Sequence, residues 1–287
     1  MRFAVTVVLW LAATVALVVA VPAAWTQLHV VDADGYAALA QRAAADPALQ
    51  SAMASELTTR AMALVAAPGG ARYPVDSSQV HDAAVAFTAG RAFPPLFAQA
   101  NRAVHGWLFD DPRSGRNAGE WVVDVAPMLE DSAIAPLLSR HHVTVPATLT
   151  VPVTASMPSM SGSLRQGQLS RLSAWGPWVS IGAAALSGCC AVLTLVTARR
   201  RGKALSALGV SALLVGAVGW GGIEIGRKYV NDALNHTTGG IRDIAEVLIG
   251  RAEVGLHQWL NVTLLAGAAL AGLGVVLAIM GGLAKKA

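Results

Sequence analysis

Four long apolar runs constrain this chain more than any other feature of its sequence. They cover Phe3–Val21, Trp175–Val196, Ala204–Ile225 and Leu260–Leu283, and their only charged residue is Glu224. A helix needs about 20 apolar residues to cross the hydrocarbon core of a bilayer. The sequence therefore predicts a mainly α membrane protein with four transmembrane helices.

The charge content of the chain supports a membrane location. Only 13% of its 287 residues are charged, whereas a soluble domain carries about 25%. The first apolar run exceeds the roughly 7–15 residues of a signal-peptide core, so we expect an uncleaved anchor. A cleaved signal peptide that ends near Val21 is the alternative.

The stretch TARRRGKAL separates the second and third runs and carries four cations: Arg199, Arg200, Arg201 and Lys203. Short loops rich in Lys and Arg stay in the cytoplasm. Because four spans return the chain to its starting side, both termini are predicted to be cytoplasmic. Cations that flank membrane helices are expected to contact anionic membrane lipids, and no nucleic acid partner is expected.

Tryptophans give an independent indication of orientation, because indole rings prefer the membrane–water interface. Five of them lie at the helix ends predicted to face away from the cytoplasm: Trp25, Trp175, Trp178, Trp220 and Trp259. A competing signal follows the third span, where four cations are spread among five acids. These cations are Arg227, Lys228, Arg242 and Arg251. The higher charge density of TARRRGKAL still favours cytoplasmic termini.

These assignments divide the chain into seven segments. They are transmembrane helix 1 (1–25), an extracytoplasmic domain (26–172), transmembrane helix 2 (173–198), a cytoplasmic basic loop (199–203), transmembrane helix 3 (204–226), an extracytoplasmic loop (227–258), and transmembrane helix 4 with a basic tail (259–287). The first extracytoplasmic segment is long enough to form a domain with its own core. The sequence thus predicts a multi-pass protein of the inner (plasma) membrane whose large domain is extracytoplasmic.

The extracytoplasmic domain is predicted to be mostly helical with a small β element. Asp46 before Pro47 is a typical helix start, and Ser77 or Ser78 is expected to cap a later helix. Further helices are predicted over Asp34–Ala44, after Pro94-Pro95 and over Pro127–Ser139. Trp121–Val125 and the Val- and Thr-rich stretch HHVTVPATLTVPV are predicted to be extended.

Four stretches precede the second span in the order ADPALQSAMASELT, FAQANRAVHGWL, VVDVAPML and VPATLTVPV. Together with that span, over roughly residues 1–195, they resemble a group of actinobacterial membrane proteins of unknown function. The resemblance implies an N-terminal anchor, an extracytoplasmic domain of about this size and C-terminal spans. Its motifs are loose hydrophobic and polar patterns, so the resemblance implies no active site.

The segment 227–258 is predicted to form two short helices that are broken at Gly239-Gly240. After the break an apolar stripe follows helical spacing: Ile241, Ile244, Ala245, Leu248, Ala252, Leu256 and Trp259. We expect this amphipathic helix to pack on protein, because its mixed charge is untypical of interfacial helices rich in Lys and Arg. The membrane surface and a substrate gate are the alternatives.

Small residues recur at four-residue spacing in two spans. They are Ala183, Ser187 and Ala191 in the second span, and Gly274, Ala278 and Gly282 in the fourth. Small side chains let membrane helices approach closely, so these faces indicate a compact bundle or a docking face for another membrane protein. The alternative is that Gly and Ala are simply frequent in this chain.

Residues that could carry chemistry are few. Cys189 and Cys190 are adjacent in the second span, where both are expected to pack in the core without a disulfide. Four histidines are weak candidates for a metal site: His141, His142, His81 and His105. Neighbouring residues on a strand point to opposite faces, so His141 and His142 cannot easily bind one ion.

Two carboxylate pairs, Asp110-Asp111 and Glu120 with Asp124, are better explained by loop solvation and helix capping than by acid–base catalysis. The chain lacks G-x-S-x-G, H-E-x-x-H, P-loop and G-x-G-x-x-G motifs. We therefore expect neither a cofactor nor an enzymatic activity.

Two functions fit these features. The first is a non-enzymatic accessory or scaffolding subunit of a cell-envelope membrane complex, which has another integral membrane protein as its partner. The second is an envelope-lipid binding or lipid-processing protein with an apolar pocket in the extracytoplasmic domain. The spans contain no deeply placed ionisable residue, which argues against a transporter that acts alone.

Overall fold

A computed structural model gives the fold and describes residues 2–66, 76–109, 122–124, 126–132, 134–140, 150–152, 167–235 and 240–283. The described chain is mainly helical, as predicted. It divides into two compact units, which we treat separately. The span unit comprises Met1–Val30, Leu172–Val230 and Glu253–Ala287, and the domain unit comprises Val31–Arg171 and Asn231–Ala252.

The elements follow one another as a series of helices with one strand pair. The helices are α1 (Arg2–Thr26), α2 (Ala33–Ala43), α3 (Pro47–Ala66), α4 (Ser77–Thr88), α5 (Phe93–Phe109), α6 (Ala126–Leu129), α7 (Ala135–Arg140), α8 (Ser170–Thr197), α9 (Arg201–Leu234) and α10 (Gly240–Leu283). A π-helical turn, Gln27–Val31, follows α1. Strands β1 (Val122–Asp124) and β2 (Thr150–Pro152) are antiparallel, with Val123 opposite Val151.

Among the described residues, four helical segments are long and apolar enough to cross a membrane. They are Ala4–Val31, Ser170–Thr197, Arg201–Asp232 and Gly240–Gly281, and each overlaps one of the four predicted runs. The prediction of four helices with the length and composition of membrane spans is therefore confirmed.

Helix α10 differs from its prediction. The sequence divides it into an amphipathic helix before residue 259 and a separate span, but α10 is continuous from Gly240 to Leu283. The stretch contains no proline, and single glycines such as Gly255 are tolerated inside a helix. Helix α9 likewise continues to Leu234, beyond the predicted end of the third span at residue 226.

Aspartates begin three helices of the domain unit. Each accepts a hydrogen bond from a backbone N–H in the first turn: Asp32 from Gly35 (2.8 Å), Asp46 from Ala48 (3.0 Å) and Asp76 from Ser78 (2.9 Å). The expected start at Asp46 is therefore present. The expected cap at Ser77 or Ser78 is wrong, because Asp76 has the extended backbone of an N-cap and both serines lie inside α4.

The predicted helix over Pro127–Ser139 is two short helices instead. Helix α6 ends at Leu129, and α7 begins at Ala135. Pro136 lacks an N–H, and its ring would clash with the carbonyl four residues earlier in a continuous helix. The proline is therefore placed in the first turn of a new helix, where a missing N–H costs nothing.

The core of the domain unit is built from alanine and aromatic side chains. Ala43, Ala44 and Leu49 are fully buried. A run of aromatic contacts crosses the core, with ring centroids 5.8 Å apart for Phe87 and Phe93 and 5.6 Å apart for Phe93 and Phe97. Helix α2 packs on α5, and α3 packs on α4. Alanines at the end of α2 and phenylalanines of α4 and α5 belong to the same core cluster.

The first turns of α10 complete this core. Ile244, Val247 and Leu248 pack against it, and Arg251 donates a hydrogen bond of 2.7 Å to Asp46 at the start of α3. The apolar stripe predicted after Gly240 thus packs on protein in its first turns.

Candidate functional site

The predicted topology cations lie at one end of the span unit. Arg199 and Arg200 occupy the short connection between α8 and α9, Arg201 is the first residue of α9, and Lys203 follows in its first turn. All four are exposed. Among the described residues, none of them pairs with a carboxylate.

The five predicted interface tryptophans lie away from this cationic end. Trp25 is in the last turn of α1, Trp175 and Trp178 are in the first turns of α8, and Trp220 and Trp259 lie inside α9 and α10. Arg201 and Trp220, both on α9, are separated by about 28 Å at a rise of 1.5 Å per residue. This separation is close to the roughly 30 Å thickness of a bilayer hydrocarbon core. Arg201 and Trp220 are therefore separated along α9 by about the distance between two membrane interfaces, and α9 continues beyond Trp220 to Leu234.

Four of the five tryptophans present their rings to the surroundings. Trp175, Trp178, Trp220 and Trp259 are exposed, with Trp178 at 74%. Trp25 differs, because only 6% of its surface is exposed. Its ring stacks on His29 at 5.1 Å, and the His29 ring contacts the edge of Trp259 at 6.0 Å. Trp25 is therefore a packing residue rather than the lipid-facing residue that the sequence predicts.

Two histidines that the sequence analysis did not single out belong to this aromatic end. They are His29, which stacks on Trp25, and His257, whose ring lies 4.0 Å from that of Trp220. Trp220 also donates a hydrogen bond of 3.3 Å to the side-chain oxygen of Asn261. The spacing of Trp25 and His29, four residues apart on one helix face, was the available signal.

The predicted small-residue face of the fourth span packs inside the span unit. A methyl group added to Gly274 would lie 2.7 Å from the carbonyl oxygen of Gly202 on α9, and one added to Gly202 would lie 2.6 Å from the nitrogen of Ala278. A methyl group on Gly209 would lie 2.7 Å from the Cα of Ala271. Helices α9 and α10 thus contact each other through their backbones.

The third member of that face, Gly282, lies in the last turns of α10, beyond the residues whose side-chain surroundings are described. The sequence spacing identifies the face on α10 but not its partner. The partner is α9, where Gly202 and Gly209 recur two helical turns apart. This repeat in α9 was the signal that the sequence analysis missed.

The small residues of the second span face the first. Ser187 is buried and donates a hydrogen bond of 3.2 Å to the carbonyl oxygen of Ala13 on α1. Ala183 and Ala191, one turn to either side, are half-buried. These small residues lie on the face of α8 that packs against α1.

Other glycines of the span unit face outward. Gly182 and Gly188 on α8, and Gly272 on α10, have open space where a side chain would be. Cys189, next to Gly188, is also exposed, whereas Cys190 is buried, and both are free thiols. The prediction that both cysteines pack in the core is thus wrong for Cys189, because adjacent helical residues point about 100° apart.

The two described histidines of the predicted metal group lie on different helices. His81 lies on α4, with its Nδ1 3.3 Å from the hydroxyl of Thr58. His105 is buried on α5, where its ring stacks on Phe109 at 4.2 Å and lies 5.2 Å from Tyr36. No cluster of three or more potential metal ligands occurs among the described residues.

Several candidates for chemistry lie outside the described residues. They are His141, His142, Asp110, Asp111 and Glu120. Asp124 is the last residue of β1.

Two carboxylates of the domain unit are held ionised by hydrogen bonds. The Arg251 guanidinium and then the Ala48 backbone N–H keep the pKa of Asp46 below its ordinary value of 3.8. The backbone N–H of Ser78 does the same for the pKa of Asp76. Both effects accompany helix capping, and neither prepares a group for acid–base catalysis.

The resemblance to an actinobacterial group stays a prediction. Comparisons of the chain with protein-family models, with curated proteins and with solved structures give no match.

Proposed function

We propose that the chain is a non-enzymatic accessory or scaffolding subunit of a cell-envelope membrane complex, such as a transporter, synthase or respiratory assembly. The observation that carries this proposal is the close packing of the core in the described part of the domain unit. Leu49 is fully buried, and Phe87 and Phe93 are each 3% exposed. This packing favours a function at the domain surface, as in a scaffold.

The span unit offers a surface for an integral membrane partner. Gly182 and Gly188 on α8 and Gly272 on α10 leave backbone accessible at outward faces. Membrane helices associate where small residues allow close backbone approach. These outward glycines, rather than the small residues already packed inside the unit, are our proposed docking positions.

The proposed orientation has both termini in the cytoplasm and the domain unit on the extracytoplasmic side of the plasma membrane. The exposed cations at the connection between α8 and α9 support it, because short cationic loops are retained in the cytoplasm. The exposed indoles of Trp175, Trp178, Trp220 and Trp259, away from these cations, support it as well. An actinobacterial origin remains part of this proposal, on the resemblance alone.

The alternative function is envelope-lipid binding or processing through an apolar pocket in the domain. Such a pocket requires several hundred Å3 of space. Within the described part of the domain unit, the close packing around Leu49 and the rings of Phe87 and Phe93 favours the accessory role over this alternative.

Purification of the full-length tagged chain from its own membrane in a mild detergent tests the proposal. Mass spectrometry of proteins and lipids should then find an integral membrane protein in stoichiometric amount. Gly188→Leu should reduce its recovery severalfold, whereas Ile181→Leu, an exposed and nearly isosteric change on the same helix, should not. A chain that elutes alone, with lipid bound to the domain, would support the alternative.

A further inference from the structure

The cationic end of the span unit contains an open groove of about 860 Å3. Residues of α1, α8 and α9 line it, together with the connection between α8 and α9. Ligand sites in proteins typically have about 300–1,000 Å3. The groove therefore has the size of a binding site.

The floor of this groove is apolar. Val7, Ala204 and Ala207 contribute aliphatic surface, and the indole of Trp10 contributes its ring. The Trp10 Nε1 already donates a hydrogen bond of 3.0 Å to the carbonyl oxygen of Ala207. The hydroxyl of Thr194 donates to Cys190 within its own helix at 2.7 Å. A ligand on this floor therefore meets mainly hydrocarbon.

The mouth of the groove is positively charged. Arg199, Arg200 and Lys203 line it, and all three are exposed. The two glutamates of the span unit, Glu224 and Glu253, lie near Arg227, at 3.6 and 3.7 Å. Lys203 and Glu224 are about 31 Å apart along α9 at 1.5 Å per residue. The cations of the groove thus have no counter-charge within the span unit's own side chains.

We infer that this groove binds one anionic glycerophospholipid, with its phosphate at the three cations and an acyl chain on the apolar floor. Guanidinium groups bind phosphate through two parallel hydrogen bonds, and basic pockets between transmembrane helices are suited to anionic headgroups. A soluble anion would leave the floor uncovered, and a zwitterionic lipid would not neutralise the cations. The site requires neither a protein partner nor a particular orientation of the chain in the membrane.

Native mass spectrometry of the purified full-length chain tests whether the groove prefers an anionic headgroup. Phosphatidylglycerol and phosphatidylethanolamine with identical acyl chains are added separately, and their dissociation constants are compared. We expect phosphatidylglycerol to bind at least about tenfold more tightly. Each cation near a membrane surface strengthens the binding of an anionic lipid by roughly tenfold or less, and three cations line the groove. Arg199→Gln with Lys203→Gln should abolish this preference. Lys228→Gln, which removes an exposed cation elsewhere on α9, should preserve it.

A second variant tests whether the apolar floor of the groove holds an acyl chain. Ala207→Leu fills the groove and leaves every cation in place, so it should weaken binding of phosphatidylglycerol about tenfold. Val210→Leu, at an exposed position on the same helix, is the control and should bind normally. Circular dichroism checks that each variant is folded.

Equal affinity for the two lipids would overturn the inference. So would a headgroup preference that survives Arg199→Gln with Lys203→Gln. If Ala207→Leu binds phosphatidylglycerol as the parent chain does, the cations act as a surface charge belt and the groove holds no acyl chain.

Discussion

Arg251 on α10 donates a hydrogen bond of 2.7 Å to Asp46, the residue that caps α3. One carboxylate therefore serves two purposes: it satisfies a backbone N–H at the start of α3 and pairs with a cation on α10. The contact fixes the first turns of α10 beside the helix that carries Leu49 and Met53 of the core.

Asp46→Asn should separate these two purposes, because asparagine caps helices about as well as aspartate but cannot pair with Arg251. The depressed pKa of Asp46 means that its ionised form stabilises the fold above pH 3.8, and that this contribution is lost as the pH falls further. We expect Asp46→Asn to unfold at a lower temperature than the parent at pH 6. At pH 3 the difference in unfolding temperature between the variant and the parent should be smaller.

Asp76→Asn is the matched control for this experiment. Asp76 also caps a helix with a depressed pKa, but its hydrogen bonds come from Ser78 rather than from a cation. Thermal unfolding followed by circular dichroism should therefore show a smaller loss at pH 6 for Asp76→Asn. Equal losses for the two variants would show that Arg251 contributes nothing.

Gly209→Ala should destabilise the span unit. The added methyl group would lie 2.7 Å from the Cα of Ala271, so α9 and α10 would have to separate. Overpacking of this kind costs about 1–3 kcal/mol. Gly221→Ala, on the same helix with open space around it, should change stability by less than about 0.5 kcal/mol. Unfolding in dodecyl sulfate measures both variants, and equal stabilities would contradict the close approach.

Substitutions of Thr14 and Ser211 should show a measurable coupling free energy. Their hydroxyl oxygens are 2.8 Å apart between α1 and α9, and Ser211 is 2% exposed. Hydrogen bonds between membrane helices contribute about 0.6 kcal/mol on average and up to about 1.7 kcal/mol. A double-mutant cycle of Thr14→Val and Ser211→Ala should give a value in this range. The hydroxyl of Thr263 bonds within its own helix, so Thr14→Val with Thr263→Val should be additive.

Leu49→Ala should destabilise the domain unit by about 2–5 kcal/mol, because it opens a cavity in a filled core. Val85→Ala, at a position that is 44% exposed, should cost less than about 0.5 kcal/mol. Denaturant unfolding monitored by circular dichroism measures the difference. A tolerated Leu49→Ala would mean that the core already contains free space, which would favour the lipid-pocket alternative over the accessory role.

Cysteine labelling should determine the orientation. In a chain without Cys189 and Cys190, Gln79→Cys places an exposed thiol on α4, and Arg200→Cys places one between α8 and α9. In intact cells a membrane-impermeant maleimide should label the first and not the second. Permeabilised cells should label both. The reverse pattern in intact cells would invert the proposed topology.

Much of the helical architecture is predictable from the sequence, because run length and capping chemistry are local. The four apolar runs identify the spans, and Asp46 before Pro47 identifies the start of α3. The cap of α4 is harder, since Asp76, Ser77 and Ser78 are all good N-caps and the backbone conformation of Asp76 decides among them.

The partners of each helix face are not predictable in the same way. Four-residue spacing shows that Gly274 and Ala278 share a face of α10, but it does not indicate which helix packs against that face. Likewise, the burial of Trp25 involves a second helix. A methyl group added to Gly255 on α10 would lie 3.5 Å from the Trp25 Nε1, and the His29 ring that stacks on Trp25 lies 6.0 Å from Trp259, also on α10. Such contacts follow from tertiary packing, which local sequence patterns do not encode.

The backbone contact between α9 and α10 also limits how this chain can evolve. Glycine is the smallest amino acid, so every replacement at Gly202, Gly209, Gly267 or Gly274 adds atoms where the opposing helix leaves no room. No amino-acid substitution at these four positions is therefore conservative. In a saturation-mutagenesis library selected for membrane abundance, they should be depleted of all nineteen alternatives, while Gly221 and Gly222 should accept many.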